Sequence, residues 1–261
     1  MSFSCLKKFL IFSSSLLIQG SLVFFMQAGF AMLCAGAVQA KNVKNIMLKN
    51  FLDTCASAIA YFMTGYAFSF GIPDDGTTTT FIGRSNFFLR DMASGRDYVH
   101  FFFQFGFAAN AATIVCCSIA ERSKFVSYLC HSTVMSAFVY PIVARSIWNP
   151  SGFLSPSNAH PFLDTGVIDY AGSGVVHLMG GTTAWIGAVI LGPRIGKFFD
   201  EHGNELHEPG QFRAHSSSLE MLGTFVLWFG WYVFDKRISI LCTRKKDSRM
   251  VEFLPSKIQK N

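Results

Sequence analysis

The stretch that most constrains this chain runs from Asp169 to Gly192. It is long and apolar enough to cross a bilayer as an α-helix, yet it begins with a carboxylate and contains one imidazole, His177. At about 1.5 Å per residue, His177 lies about 14 Å from one end of a helix over roughly 168–192, which is close to the bilayer midplane. An imidazole at that depth costs free energy unless it faces protein or water. We therefore predict that His177 faces an interior path.

Small residues recur at every fourth position of the same stretch, at Gly180, Ala184, Ala188 and Gly192. This spacing lets one transmembrane helix press its backbone against another. The stretch is therefore predicted to be a central helix of a bundle.

The composition is that of a protein with several membrane helices. Of the 261 residues, 51% are hydrophobic and 15% are charged, which is typical of one polytopic membrane domain. The net charge of +6 comes from the last part of the chain, because residues 1–235 carry 14 basic and 14 acidic side chains and residues 236–261 carry 8 and 2. A basic tail of this kind does not indicate nucleic-acid binding.

No pattern of reactive side chains indicates an enzyme or a cofactor site. The seven cysteines lie mostly in apolar stretches without a CxxC spacing, so we expect small buried side chains rather than metal ligands or disulfide partners. The polar loop 193–217 contains histidines and acidic residues, but their spacing matches no zinc site. The chain is expected to have no catalytic residues, no metal and no cofactor.

Apolar segments predict an all-α membrane protein with about six transmembrane helices. Their predicted ranges are about 12–38, 50–72, 98–120, 125–147, 168–192 and 219–234. Residues 1–11 would be an N-terminal extension, and a cleaved signal peptide is the lesser alternative for the first apolar run. Lysine and arginine concentrate in the loops after helices one, three and five, which places these loops in the cytoplasm and the N-terminus outside.

Short motifs across residues 20–235 resemble the ammonium transporter (Amt/Mep/Rh) family, in its plant-like branch. In chain order they are Gly36-Ala-Val-Gln-Ala-Lys-Asn-Val43, Gln104-Phe-Gly-Phe-Ala108, Ser118-Ile-Ala-Glu-Arg122, Phe138-Val-Tyr-Pro141, Val167-Ile-Asp-Tyr-Ala-Gly-Ser-Gly-Val-Val-His177, Leu191-Gly-Pro-Arg-Ile-Gly196 and Leu227-Trp-Phe-Gly-Trp-Tyr232. The resemblance implies a plasma-membrane trimer with eleven helices and one pore in each subunit. Residues 12–235 would be the first half of that fold.

The resemblance also implies a path for ammonium, ammonia or methylammonium. Trp148 resembles the vestibule tryptophan that meets the cation, and Phe107 and Phe234 resemble the two gating phenylalanines. Asp169 resembles the aspartate at a helix start, and His177 the first of two pore histidines. In a dry pore the charged species is costly, so loss of a proton near the gate and passage as ammonia beside His177 is plausible chemistry.

Each of these residues also has a structural alternative. Asp169 could cap a helix, act electrostatically, or do both, and His177 could form a hydrogen bond between helices. Phe107 could pack in the core or face lipid, and Trp148 could anchor a helix end at the membrane interface.

The chain departs from the family pattern in two places. Arg145 and Ser146 stand where the family usually has His-Trp, which would put a cation beside the vestibule unless an acid such as Asp164 neutralises it. From Val233 onward the match fails, helices seven to eleven have no counterpart, and 236–261 is expected to be a basic tail foreign to the family.

Two functions stay open: channel-like ammonium transport, and a truncated homologue that is inert or acts as a dominant-negative subunit in mixed trimers with full-length homologues.

Overall fold

The computed structural model describes residues 3–71, 81–90, 92, 94–200 and 202–243, and the side chains among these except those of 3–12 and 233–243. The α-helices are α1 (Phe3–Ala37), α2 (Val43–Ala60), α3 (Tyr66–Phe70), α4 (Gly95–Ile114), α5 (Cys116–Ile119), α6 (Phe125–Val134), α7 (Tyr140–Trp148), α8 (Met179–Leu191) and α9 (Ser217–Thr243). Within the described ranges, the only strand-like pairing is an isolated antiparallel bridge between Phe199 and Glu205. The predicted all-α fold is confirmed.

Three π-helical turns join some of these helices into longer segments. Tyr61–Gly65 joins α2 to α3, Met135–Val139 joins α6 to α7, and Ser173–Leu178 leads into α8. The described residues thus form six long helical segments in the predicted order. Four of them are long and apolar enough to cross a membrane, namely Ser13–Ala37, Gly95–Ile119, Phe125–Trp148 and Ser173–Leu191.

The two remaining segments both extend beyond their predicted limits. The second one begins at Val43, seven residues before the expected start, and carries Lys49 and Asp53. The last one, α9, extends to Thr243, so residues 236–243 of the predicted tail continue a helix. Residues 3–11 likewise belong to α1. The rest of the predicted basic tail, 244–261, lies outside the described residues.

The centre of the described bundle is α4, whose residues from Phe103 to Thr113 are all buried. α4 contacts α1 and α2 on one side and α8 on another. The prediction that the 169–192 stretch is the central helix is wrong for the described residues, because α8 lies at the edge. Its outer face carries Trp185 and Ile190, which are 70% and 77% exposed.

Glycines set the close contact between α1 and α9. A Cβ atom on Gly29 would lie 2.8 Å from Leu227 of α9, and a Cβ atom on Gly223 would meet the backbone of Leu33. The two helices therefore pack backbone to backbone, as small residues allow in membranes.

One cysteine pair contradicts the expectation that the cysteines are only buried side chains. Cys34 near the end of α1 and Cys117 of α5 form a disulfide, with their Cα atoms 5.7 Å apart. The spacing rule missed the pair because the two residues lie 83 positions apart in the sequence. Cys116 is buried and free, and it donates to Asn50 Oδ1 at 3.0 Å.

Glu121 joins three connecting segments at one end of the bundle. Its Oε1 accepts hydrogen bonds from the Gln39 backbone N–H at 2.9 Å and the Asn42 side chain at 2.6 Å. Its Oε2 forms an ion pair with Arg194 at 2.9 Å. The Ser118–Arg122 motif therefore fixes the ends of α1, α5 and α8 relative to one another.

Candidate functional site

The carboxylate of Asp169 caps the start of the Ser173–Leu191 segment. Asp169 is 9% exposed, and each of its oxygens accepts two backbone N–H groups. Oδ1 accepts from Gly172 at 2.6 Å and Ser173 at 3.0 Å, and Oδ2 from Gly174 at 2.9 Å and Val175 at 2.8 Å. Because these N–H groups carry the positive end of the helix dipole, they compensate a buried anion. This is the capping position that the sequence left as one alternative.

Trp148 is tied to the same aspartate from the other side. The indole Nε1 of Trp148, the last residue of α7, donates to the Asp169 backbone carbonyl at 2.7 Å. A Cβ atom on Gly172, whose φ is +86°, would lie 3.7 Å from the Trp148 ring and 2.8 Å from Val176. A glycine at this position therefore suits both the left-handed backbone and the close packing.

Phe107 of α4 packs its ring against the Trp148 ring. The ring centroids lie 5.4 Å apart at an interplanar angle of 76°. Phe107 is 2% exposed and also contacts Phe103 edge to face, at 4.9 Å. It faces the core of the described bundle and not lipid. The structure thus brings together Phe107, Trp148 and Asp169, which lie on three different elements.

His177 lies on the π-helical turn after the cap, where its backbone N–H donates to the Gly172 carbonyl at 2.9 Å. The imidazole is half-buried and meets the ring of Trp231 from α9, with centroids 5.4 Å apart and an angle of 69°. Val175 and Val176, on the same turn, are buried in the cluster that contains Phe107. No hydrogen-bond partner of the imidazole lies among the described residues, so they do not support the interhelical alternative for His177.

Residues 14–252 match the sequence model of the Ammonium Transporter Family. The chain belongs to the ammonium transporter family. The matched range extends past residue 235, where the short motifs end.

Relatives and solved structures agree with this assignment. Ammonium transporter 1 member 3 of Solanum lycopersicum is 46% identical over 221 residues, which cover 84% of this chain and 46% of that protein. Ammonium transporter 1 member 1 of Oryza sativa subsp. japonica is 51% identical over 207 residues, or 78% of this chain and 40% of that protein. The chain thus spans less than half the length of these curated relatives.

The fold is shared with solved ammonium-transporter structures. The structure titled Sensor Amt Protein superposes with a TM-score of 0.71 at 36% identity, covering 86% of this chain and 54% of that one. Candida albicans Mep2 superposes with a TM-score of 0.68 at 24% identity, covering 86% and 47%, and shows the fold alone. The described bundle is therefore the N-terminal part of the family's fold, and the family is one of integral membrane transporters rather than enzymes.

Phe234 and Trp231 both lie in α9 of this ammonium-transporter family member. Phe234 lies in α9, but its side chain is outside the part of the chain whose side chains are described. Trp231 was missed as a site residue, although its motif was recognised. It lies midway along α9, and its contact with His177 depends on how α9 packs.

Arg145 is fully buried, whereas the sequence led us to expect a cation beside the vestibule. Its side chain is 0% exposed, and Nη1 donates to the carbonyl of Gly71 at 2.9 Å and that of Ser69 at 3.4 Å. These carbonyls lie at the C-terminal end of α3, the negative end of the helix dipole, so they compensate part of the guanidinium charge. The sequence analysis named Asp164 as an acid that could neutralise Arg145, and it gave no sign of this helix end.

Proposed function

We propose that this chain forms the entrance and the first half of a path for ammonium across the bilayer. The observation that carries the proposal is the contact of Trp148 with Phe107, held in place by the bond from Trp148 to Asp169. Ammonium or methylammonium would meet the aromatic rings, where a cation–π contact contributes about 2 kcal/mol when desolvated. The charge of Asp169 is already shared among four N–H groups, so Asp169 acts mainly by positioning Trp148.

His177 would act further along the same path. Ammonium would transfer its proton near the rings to water of the outer solution, because a dry apolar passage excludes an ion much more strongly than neutral ammonia. The His177 imidazole would then form a transient hydrogen bond with each ammonia molecule that passes. The proposal includes an N-terminus outside the plasma membrane and trimeric assembly, as homotrimers or mixed trimers with full-length homologues.

A second candidate function is a subunit that does not transport alone. The observation that favours it is the exposure of the His177 segment, where Leu178 is 68% exposed and Ile190 is 77% exposed. Within the described residues, this side of the path is not enclosed. Additional helices from the same or another polypeptide would be needed to close it.

Uptake of radiolabelled methylammonium in cells without ammonium transporters of their own tests both functions. The 261-residue chain is expressed alone, and together with a polypeptide containing helices seven to eleven of an Amt1 relative. We expect uptake only with both polypeptides. Uptake by the lone chain at the level of a full-length relative would overturn the need for a second half. No uptake with both at the membrane would overturn the transport proposal.

Two variants of Trp148 form a matched pair for this assay. Trp148→Phe keeps an aromatic face, whereas Trp148→Leu removes it. Loss of about 2 kcal/mol corresponds to a roughly 30-fold higher apparent KM for Trp148→Leu. Equal KM values for both variants and the unmodified chain would contradict cation binding at this ring.

A further inference from the structure

A second buried carboxylate, Asp53 of α2, lies apart from the path past His177. Asp53 is 1% exposed, and its Oδ2 accepts a hydrogen bond from Thr113 of α4 at 2.7 Å. Two residues earlier on α4, the Ala111 carbonyl lies 3.1 Å from where a Cβ atom on Gly180 of the His177 segment would be. Residues two positions apart point to nearly opposite sides of a helix. α4 therefore lies between Asp53 and the segment with His177.

The Asp53 carboxylate has few hydrogen bonds. Its Oδ1 has no partner within hydrogen-bond distance in the described structure, and Thr113 bonds to its Oδ2. The hydroxyl of Ser132 on α6 also lies beside the carboxylate, but it bonds to the Tyr128 carbonyl at 3.1 Å. The single hydroxyl proton of Thr113 is also within reach of the Gln27 Oε1 at 2.9 Å and the Ala109 carbonyl at 2.8 Å. Asp53 therefore receives at most one hydrogen bond from this hydroxyl, whereas Asp169 receives four backbone N–H groups.

Nor does a counter-charge neutralise Asp53 in the described part of the chain. Lys49, one turn earlier on α2, donates Nζ to the Ser123 carbonyl at 3.0 Å and lies 5.6 Å from the Tyr128 ring centre. The other titratable groups beside Asp53 are the phenol of Tyr128 on α6 and the thiol of Cys116 on α5, which contact each other. An isolated carboxylate anion in such a place is costly, and binding a proton removes the charge.

Ser57 provides the acceptor that such a proton needs. It lies one turn beyond Asp53 on the same face of α2, is 0% exposed, and its Oγ has no hydrogen-bond partner among the described residues. Side chains at this spacing have Cβ atoms about 5–6 Å apart, so a small rotation lets the two oxygens meet. One proton on Oδ1 would therefore satisfy two buried oxygens at once.

We propose that Asp53 is a proton-binding site inside the membrane, at which the protonated carboxyl donates to Ser57 and accepts from Thr113. The site binds a proton independently of His177, because it faces α1, α4 and α6 and not the His177 segment. The residues that face it from α1, α4 and α6, namely Gln27, Thr113 and Ser132, are neutral. No part of this inference depends on the transport proposal.

Infrared spectroscopy of the purified full chain in lipid tests the site directly. We expect the carbonyl stretch of a protonated carboxylic acid at neutral pH, and its loss in Asp53→Asn. Asp169→Asn is the matched control and should keep the band, because an ionised carboxylate held by four N–H groups does not contribute to it. Absence of the band from the unmodified chain, or an unchanged band in Asp53→Asn, would overturn the proposal.

Two further measurements keep the test decisive. Ser57→Ala removes the acceptor and should shift the band without abolishing it, which tests the proposal even if Asp53→Asn does not fold. Exchange of sodium for choline in the buffer should leave the band unchanged. A band that grows when sodium is removed would assign the site to a metal cation and overturn proton binding, and an unshifted band in Ser57→Ala would overturn the assigned acceptor.

Discussion

Asp169 connects two parts of the candidate site through a single residue, because its carboxylate holds the helix start and its carbonyl holds the Trp148 indole. Replacing it with alanine leaves four N–H groups without their acceptor, two of which belong to the buried residues Gly172 and Val175. We expect Asp169→Ala to lower the free energy of unfolding by about 2 kcal/mol. Thermal unfolding of the purified chain in detergent measures this change.

The matched control for this prediction is Glu208→Ala, which removes a carboxylate from an exposed loop. We expect no measurable change in its unfolding temperature, because substitutions at exposed sites rarely affect stability. Equal unfolding temperatures for Asp169→Ala, Glu208→Ala and the unmodified chain would show that the cap contributes nothing.

Which individual residues could be predicted depended on whether their partners were close in sequence. Asp169 and the N–H groups that it caps lie within a few positions, so the cap was one of the two interpretations offered. Trp231 and Asp53 acquire their importance only from contacts with His177 and Thr113 across distant helices. No spacing rule in a single sequence links such pairs.

At the scale of one element, the small residues of α8 make a contact that can be tested on adjacent positions. A Cβ atom on Gly180 would lie 3.1 Å from the Ala111 carbonyl and from Ile114 of α4, whereas one on Gly181 would have no neighbour within 4 Å. Overpacking a tight helix contact costs about 1–3 kcal/mol. We expect Gly180→Val to be destabilised by that amount relative to Gly181→Val in thermal unfolding.

The two variants share composition, helix propensity and chain position, so their difference isolates the contact between α8 and α4. If Gly181→Val were the less stable variant, the face of α8 assigned to α4 would be wrong.

The helices themselves could be predicted because each apolar segment carries its own signal. The start of α2 was placed too late, since Lys44 and Lys49 suggested a loop. In the structure Lys49 is 5% exposed, with its Nζ bonded to a backbone carbonyl and lying over an aromatic ring. A long lysine side chain can thus continue a membrane helix by placing its charge on local partners. The position of α8 at the edge was also missed. Its small residues indicate that one face of the helix packs closely, but they do not indicate whether the opposite face is buried.

At the scale of the whole molecule, the exposed apolar face of α8 and α9 has the character of a helix contact. Trp185 and Ile190 of α8 are 70% and 77% exposed, and Phe225 and Trp228 of α9 are 54% and 58% exposed. In a bilayer such residues are compatible with lipid, so exposure alone does not distinguish a lipid-facing surface from a surface that other helices cover. If the family's later helices cover this face, its residues should be protected from chemical reagents only when a second polypeptide supplies those helices.

Cysteine labelling distinguishes these two arrangements. In a chain whose exposed Cys55 and Cys130 are replaced by alanine, together with Cys5 and Cys242, a cysteine at Ile190 should react with a membrane-permeant maleimide when the chain is expressed alone. Co-expression with helices seven to eleven should slow that reaction at least tenfold, because packed helices exclude the reagent. A cysteine at Ala109, which is 0% exposed, should stay unreactive in both cases. Equal labelling of position 190 with and without the second polypeptide would mean that this face meets lipid, and that His177 is not enclosed by a second half from that side.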